Sequence, residues 1–382
     1  MKFACVELYT KSGKIWDGAR EKPNYLCDPK TEIDNCSFGC WTSALGGEHI
    51  PLLWFKLRKL SNRIHHNYCA PRMSRFHYGG YSMVSRLINK AFDKFHNLQY
   101  ITKFDIVLIV VHDYSVREMA EFITNAKELR KKPIFLGALG NTLASFREAL
   151  KNKDAFKYFK IFIDNCDVFV NWGHKAIGEY LKLYTKTPVV TFPMFYPFEF
   201  TKSFFEPWQN KKKIIFVAGH TQRTDHVSSL LVAKKIQEQY PNFLIKTIRR
   251  PGQNLDPLKG ARFEVVPFLD WINYLKHTSK TCIIIDMDNT WTSGRVANDA
   301  AAVGTPCIGL NSGNQGRIFP DLTCLDVIDT KKGVDLGIKL VKDRKFYEKV
   351  QKKAFENLKT CSYENSVKRF QNMLKTHVGR EI

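Results

Sequence analysis

Short apolar runs alternate along the chain with longer stretches whose apolar residues return every three or four positions. That alternation predicts parallel strands joined by crossover helices. Phe3–Leu8 reads as a first strand. Asp105–Val111 (DIVLIVV) is continuously apolar after its first residue, as a strand buried on both faces requires. Further strands are predicted over Pro133–Leu136, Val168–Val170 and Val189–Phe192. Helices are predicted over Ser115–Leu129, Thr142–Lys151, Ala155–Asp164 and Lys175–Leu183.

Pro193–Trp208 breaks this texture. It is dense in Phe, Tyr and Pro and follows neither period, so it reads as part of a linker over residues 193–211. A second series opens at Ile214–Ala218. Strands follow at Phe243–Ile248, Cys282–Ile285 and Cys307–Gly309. Helices follow at Asp225–Gln239, Trp271–Thr278 and Gly294–Val303. Lys331–Val341, Lys345–Lys359 and Ser362–Thr376 close the chain as helices. The expected architecture is α/β, with two Rossmann-like domains facing a cleft. The first spans residues 1–192 and the second 212–360. A C-terminal helix in 361–382 packs back on the first. An insertion of about residues 10–100 interrupts the first domain. Within it, Pro51–His65 and Tyr81–Phe95 read as basic, aromatic-rich helices.

The length of 382 residues exceeds one ordinary hydrophobic core, which agrees with two domains. Aromatic residues make up 13% of the chain, too many for a disordered one. The net charge of +22, from 59 Lys and Arg against 37 Asp and Glu, favours polyanionic partners or phosphorylated small molecules. Between Trp41 and Tyr100, nine basic residues stand against two acidic ones, which concentrates that attraction in the insertion. Met1–Thr10 lacks the basic start and long apolar core of a secretion signal. The expectation is a cytoplasmic protein (host cytoplasm for a viral chain) with reduced cysteines. Cys27, Cys36, Cys40 and Cys69, with His49 or His65, are a candidate zinc set, but the spacing is loose, unlike a paired C-x-x-C, and no metal ligand is assigned.

Chemistry concentrates in Asp286–Gly309 (DMDNTWTSGRVANDAAAVGTPCIG). A strand ends in a polar loop, and a helix starts at Gly294. The first turn of a helix offers unpaired N–H groups and positive potential, which suit phosphate. Arg295 can add a bidentate grip on a diphosphate. Asp299, one turn on, can accept hydrogen bonds from ribose hydroxyls. The competing reading is a surface ion pair between Arg295 and Asp299. A second anion loop is expected at Gly219, His220 and Arg223, after the first strand of the second half. Phe268, in VVPFLDW, is a candidate ledge for a base, with Asp270 as the cap of the next helix.

This order of parts resembles the GT-B glycosyltransferases. The resemblance implies transfer of a hexose from a nucleotide sugar, with a UDP-sugar as co-substrate and a divalent metal allowed but not indicated. Retaining members carry an acid where this chain has Asp299 and a Glu eight residues earlier, where this chain has Trp291. A narrower resemblance, over roughly residues 105–358, links VVTFPMFYPFEF at Val189–Phe200, the Arg223 loop, Arg295-Val296 and Gly316-Arg317-Ile318 to the phage DNA β-glucosyltransferases. It implies UDP-glucose as donor and hydroxymethylated pyrimidine in double-stranded DNA as acceptor. The acid that follows the family's Arg falls on Asn298 or on Asp299. The segment expected to hold the family's catalytic carboxylate, Leu136–Gly140, contains no acid.

An inverting transfer needs a base beside the acceptor hydroxyl. Asp113 and His112, at the end of the DIVLIVV run, are candidates, and so is His174. Asp113 also fits a helix-cap region before Ser115. Gly137–Gly140 lets backbone approach a sugar. Trp54, Lys56, Arg58, Arg72 and Arg75 suit a polyanionic acceptor whose bases are wedged or flipped. Two other readings stay open. One is transfer to a lipid or cell-envelope glycan at an anionic membrane surface. The other is a nucleic-acid-binding protein without catalysis.

Overall fold

Strands of the first sheet follow the apolar runs. β1 (Phe3–Thr10), β4 (Glu48–Lys56), β5 (His65–Cys69), β6 (Ile106–Val111), β7 (Ile134–Leu139), β8 (Val168–Asn171) and β9 (Val189–Thr191) form a seven-stranded sheet ordered β5-β4-β1-β6-β7-β8-β9. All pairings are parallel except β4 with β5. A two-stranded pair, β2 (Cys27–Asp28) with β3 (Ile33–Asp34), stands apart. These are features of a computed structural model. It describes residues 1–10, 27–28, 33–34, 41, 44–56, 65–69, 101–113, 115–140, 142–218, 226–248, 254–267, 269–287, 289–291 and 294–379.

The second sheet has six parallel strands: β10 (Lys212–Val217), β11 (Leu244–Ile248), β12 (Phe263–Val266), β13 (Thr281–Asp286), β14 (Cys307–Leu310) and β15 (Thr323–Cys324). Their order is β12-β11-β10-β13-β14-β15. The helices His226–Gln239, Trp271–Ser279 and Arg295–Ala302 belong to its crossovers, and Thr330–Lys342 follows the last strand. Ile283, Ile284 and Ile285 of β13 are fully buried. Each such side chain contributes roughly 1.5–3 kcal/mol by leaving water.

In both sheets the chain moves outward from its first strand and then returns to that strand's other side. β1 lies between β4 and β6, and β10 lies between β11 and β13. Such a reversal leaves a crevice beyond the carboxyl ends of the two central strands, because the following loops diverge to opposite sides. The crevice positions are therefore the residues after β6 in one sheet and after β10 and β13 in the other.

The chain forms two compact units. The first is Met1–Asn171, Lys175–Phe195 and Val367–Ile382; the second is Trp172–His174 and Tyr196–Ser366. In the first unit Trp41 is completely buried among Phe3, Phe192, Phe195 and Phe370, with their ring centroids 4.6–6.1 Å from its own. Phe370 comes from the last helix, Tyr363–Val378. In the second unit Tyr347 is buried and donates its hydroxyl to the Cys282 carbonyl at 2.8 Å.

Two expectations need correction. Pro51–Lys56 is strand, not helix: it is the greater part of β4, paired with β1 and β5. Its apolar residues run on without a gap, and a short continuous run has no period to separate a buried strand from a helix. The segment read as an irregular linker holds a helical turn at Phe198–Thr201 and two 3-10 turns, Lys202–Phe204 and Trp208–Asn210. Met194, Phe195 and Tyr196 are completely buried, so this aromatic stretch is core. Tyr81–Phe95 lies outside the described residues.

Candidate active site

β13 delivers Asp286 to the carboxyl edge of the second sheet, and the loop after it leads to Gly294. Gly294 is the N-cap of the Arg295–Ala302 helix and has φ 59°, in the left-handed region. A side chain there is strained, and a Cβ would stand 3.5 Å from the Asn314 amide nitrogen. The glycine lets the helix start closely against the loop that follows β14. Asp286, Gly294, Ala297, Leu310, Ser312, Gly313, Asn314 and Gln315 line a small open depression. The helix is seated by Ala300, Ala301 and Ala302, all buried, which lets it lie close to its neighbours.

Asp299 is 5% exposed, so it lies in the interior and not on the surface. Its Oδ1 accepts the Tyr196 hydroxyl at 2.7 Å and the Trp271 indole N–H at 3.4 Å. Tyr196 and Trp271 are themselves buried. Burial, and then the Asp299 charge, hold the Tyr196 hydroxyl well above its ordinary pKa, while Arg295 opposes that rise. The phenol therefore stays a proton donor to the carboxylate. Trp271 is fixed by its own helix, which Asp270 caps by accepting from the Asn273 amide at 2.8 Å. Asn298 is completely buried, and its amide oxygen and nitrogen find no hydrogen-bond partner among the described residues.

Trp291 precedes the helix with φ 56°, a genuine outlier for a bulky residue. Its ring meets His174 edge-on, centroids 5.3 Å apart at 72°. His174 thus neighbours the loop before the Arg295–Ala302 helix, in the same unit.

His112 and Asp113 follow β6 in the first unit, at its crevice. His112 is buried, and its ring rests on Gly140, where a Cβ would lie 2.3 Å from Cε1. The backbone here is a tight turn: the His112 amide donates to Ser115 Oγ at 2.9 Å, and the Ser115 amide donates back to the His112 carbonyl at 3.0 Å. Asp113 is half-buried.

The structure thus brings Gly294, Arg295, Asn298 and Asp299 onto one short helix, and His112 with Asp113 onto one turn. Lys56 and Trp54 lie on β4. Gly219, His220, Arg223, Phe268, Arg58, Arg72 and Arg75 lie outside the described residues. Sequence reasoning missed Tyr196, Trp271, Ser312 and Asn314. Tyr196 sits in the aromatic stretch read as linker. Trp271 was visible only as the residue after a cap.

No protein-family model matches the sequence, and no curated protein matches it in sequence. Solved structures do match. A sucrose-phosphate synthase from Thermosynechococcus elongatus superposes over 100% of both chains, with a TM-score of 0.60 and 14% identity. An α,α-trehalose 6-phosphate synthase from Burkholderia multivorans covers 99% of both chains, with a TM-score of 0.61 and 10% identity. An α-glucosyltransferase in complex with UDP-glucose and DNA containing an abasic site covers 98% of this chain and 99% of its own, with a TM-score of 0.55 and 12% identity. Two sheets, one parallel and one parallel but for its β4–β5 edge, each reversing at its first strand, together with these matches, give the chain the α/β fold of the GT-B glycosyltransferases.

Proposed function

We propose that this protein is a nucleotide-sugar-dependent glycosyltransferase that moves a hexose from a UDP-sugar, UDP-glucose first, to hydroxymethylated pyrimidine in double-stranded DNA. The observation that carries the donor half is the helix beginning at Gly294–Arg295, beside the crevice strand β13. Its first-turn amides and positive end favour a diphosphate. Arg295 neutralises charge on the leaving diphosphate as it develops in the transition state, with Arg223 and His220 as partners. Asn298 and Asp299 serve the nucleoside end, and Phe268 the base.

For the acceptor, Asp113 is the base, with His112 and His174 as its alternatives. The charge of +22 favours a polyanion. The match to an α-glucosyltransferase bound to UDP-glucose and DNA supports both partners. Trp54, Lys56, Arg58, Arg72 and Arg75 make the acceptor contacts.

The test is transfer of label from UDP-glucose. The protein is incubated with hydroxymethylated duplex DNA and, separately, with lipid extract. Label in the DNA is the expected result. Label in lipid alone replaces the acceptor reading with the membrane one. No uridine nucleotide binding and no transfer overturns the donor reading as well.

A further inference from the structure

We propose that the outer edge of the second sheet docks a second copy of this chain, the two β12 strands pairing antiparallel about a twofold axis at Phe263.

β12 is an end strand of its sheet, and among the described residues nothing pairs with its outer side. The hydrogen-bonding groups of a strand alternate between its two sides. Those of Arg262 point inward. Its carbonyl accepts the Ile245 amide at 3.2 Å. The buried side chain of Gln237 accepts its amide at 3.0 Å and donates to its carbonyl at 2.7 Å. Glu264 therefore also faces β11, and Phe263 and Val265 turn their amides and carbonyls outward. Sheets protect an open edge with lysine, proline, a bulge or a very short strand. The opposite edge, β15, is two residues long. β12 reads Phe-Glu-Val-Val and pairs with β11 in unbroken register, so it has none of these protections. Phe263 stands on it 38% exposed.

The sequence around Phe263 is complementary to itself. In an antiparallel pair centred there, the two Phe263 residues exchange both backbone hydrogen bonds. Arg262 of each copy then stands opposite Glu264 of the other, so the favourable charge pair occurs twice. Arg262 and Glu264 share one face of the strand, two residues apart, and both are exposed. Lys246 holds Glu264 from the inner side at 2.8 Å and leaves half of its side chain open to a second cation. Moving the axis to Arg262 or to Glu264 sets like charges face to face, so the register is specified. The pairing joins two six-stranded sheets into one. Because the strands run in opposite directions, the crevices at their carboxyl ends point away from each other.

Sedimentation velocity of the full chain over a concentration series reads the association. Wild type is expected to pass from monomer to dimer as concentration rises. Phe263→Lys puts two ammonium groups at the axis but replaces an exposed side chain, so the fold stands while the dimer Kd rises by about tenfold or more. Val265→Pro removes an outward amide without taking a hydrogen bond from β11, and acts in the same direction. Arg262→Glu and Glu264→Arg each set like charges across the axis and are each monomeric. Mixed, they form a heterodimer, because each then meets the charge it lacks. Should Glu264→Arg unfold for want of its Lys246 pair, the first two variants decide alone. A wild type that stays monomeric at its highest soluble concentration overturns the inference. So does a dimer that Phe263→Lys and Val265→Pro leave intact, or a mixture of two folded charge variants that fails to pair.

Discussion

The imidazole of His112 lies directly on the α-carbon of Gly140, so close that no side chain fits between them. Gly140 also donates its amide to the Val111 carbonyl at 2.7 Å, which ties the end of β7 to the end of β6. Gly140→Ala must push the ring aside or open the turn. The expected cost is roughly 1–3 kcal/mol, typical of overpacking a filled interior. Transfer activity should fall further than stability, because His112 and Asp113 share that turn. Denaturant unfolding alongside a single-turnover assay separates the two, and a fully active variant removes this turn from the proposed chemistry.

Arg295→Ala should fold normally and lose about 10²–10³ in kcat, the range seen when one donor to developing charge is removed. Arg295→Lys restores charge without the bidentate fork, and should recover a minor part. Steady-state kinetics with UDP-glucose decides this; full activity in the Ala variant refutes the donor assignment.

Asn298 presents the opposite expectation in the absence of ligand. A buried amide without partners costs stability, and an apolar residue of similar shape relieves that cost. Asn298→Leu should raise the Tm of the ligand-free protein. The same variant should gain less Tm on adding UDP-glucose than wild type does. Scanning calorimetry with and without donor gives both numbers.

Lys211 supplies a pH dependence. Its ammonium reaches the Ser279 carbonyl at 2.8 Å, the Val303 carbonyl at 3.0 Å and Thr305 Oγ1 at 2.7 Å. Two of these oxygens belong to the ends of the Trp271–Ser279 and Arg295–Ala302 helices, where positive charge is welcome. Burial nevertheless lowers its pKa to about 7. The folded state thus sheds this proton at lower pH than the unfolded chain. Stability from this source is fully present above the unfolded lysine's ordinary pKa and is lost as pH falls toward about 7. Lys211→Met should be less stable than wild type, and the gap should widen between about pH 6 and about pH 9. A gap that narrows over that range contradicts the burial of this amine.

Much of the second unit can be read directly from the sequence because its signals are local. The apolar run CIII is the heart of β13, Gly294 marks a helix start, and Asp270 is a cap three residues before the amide it accepts. What escaped is non-local. The Tyr196–Asp299 hydrogen bond joins residues 103 apart, and no spacing rule foresees it. β4 escaped for another reason. A short apolar run states that it is buried, but leaves open whether it coils or extends, and pairing with β1 decides that question.

The buried place of Phe370 beside Trp41 has a consequence for biosynthesis. The second unit is a continuous stretch, Tyr196–Ser366, apart from three residues, whereas the first is assembled from both ends of the chain. On a ribosome, the first unit's strands emerge before the second unit but wait for Phe370 until the second unit has been made. The unit begun first is therefore the one completed last. A released chain truncated shortly before residue 370 should present a protease-resistant second unit and a first unit that is still cleavable.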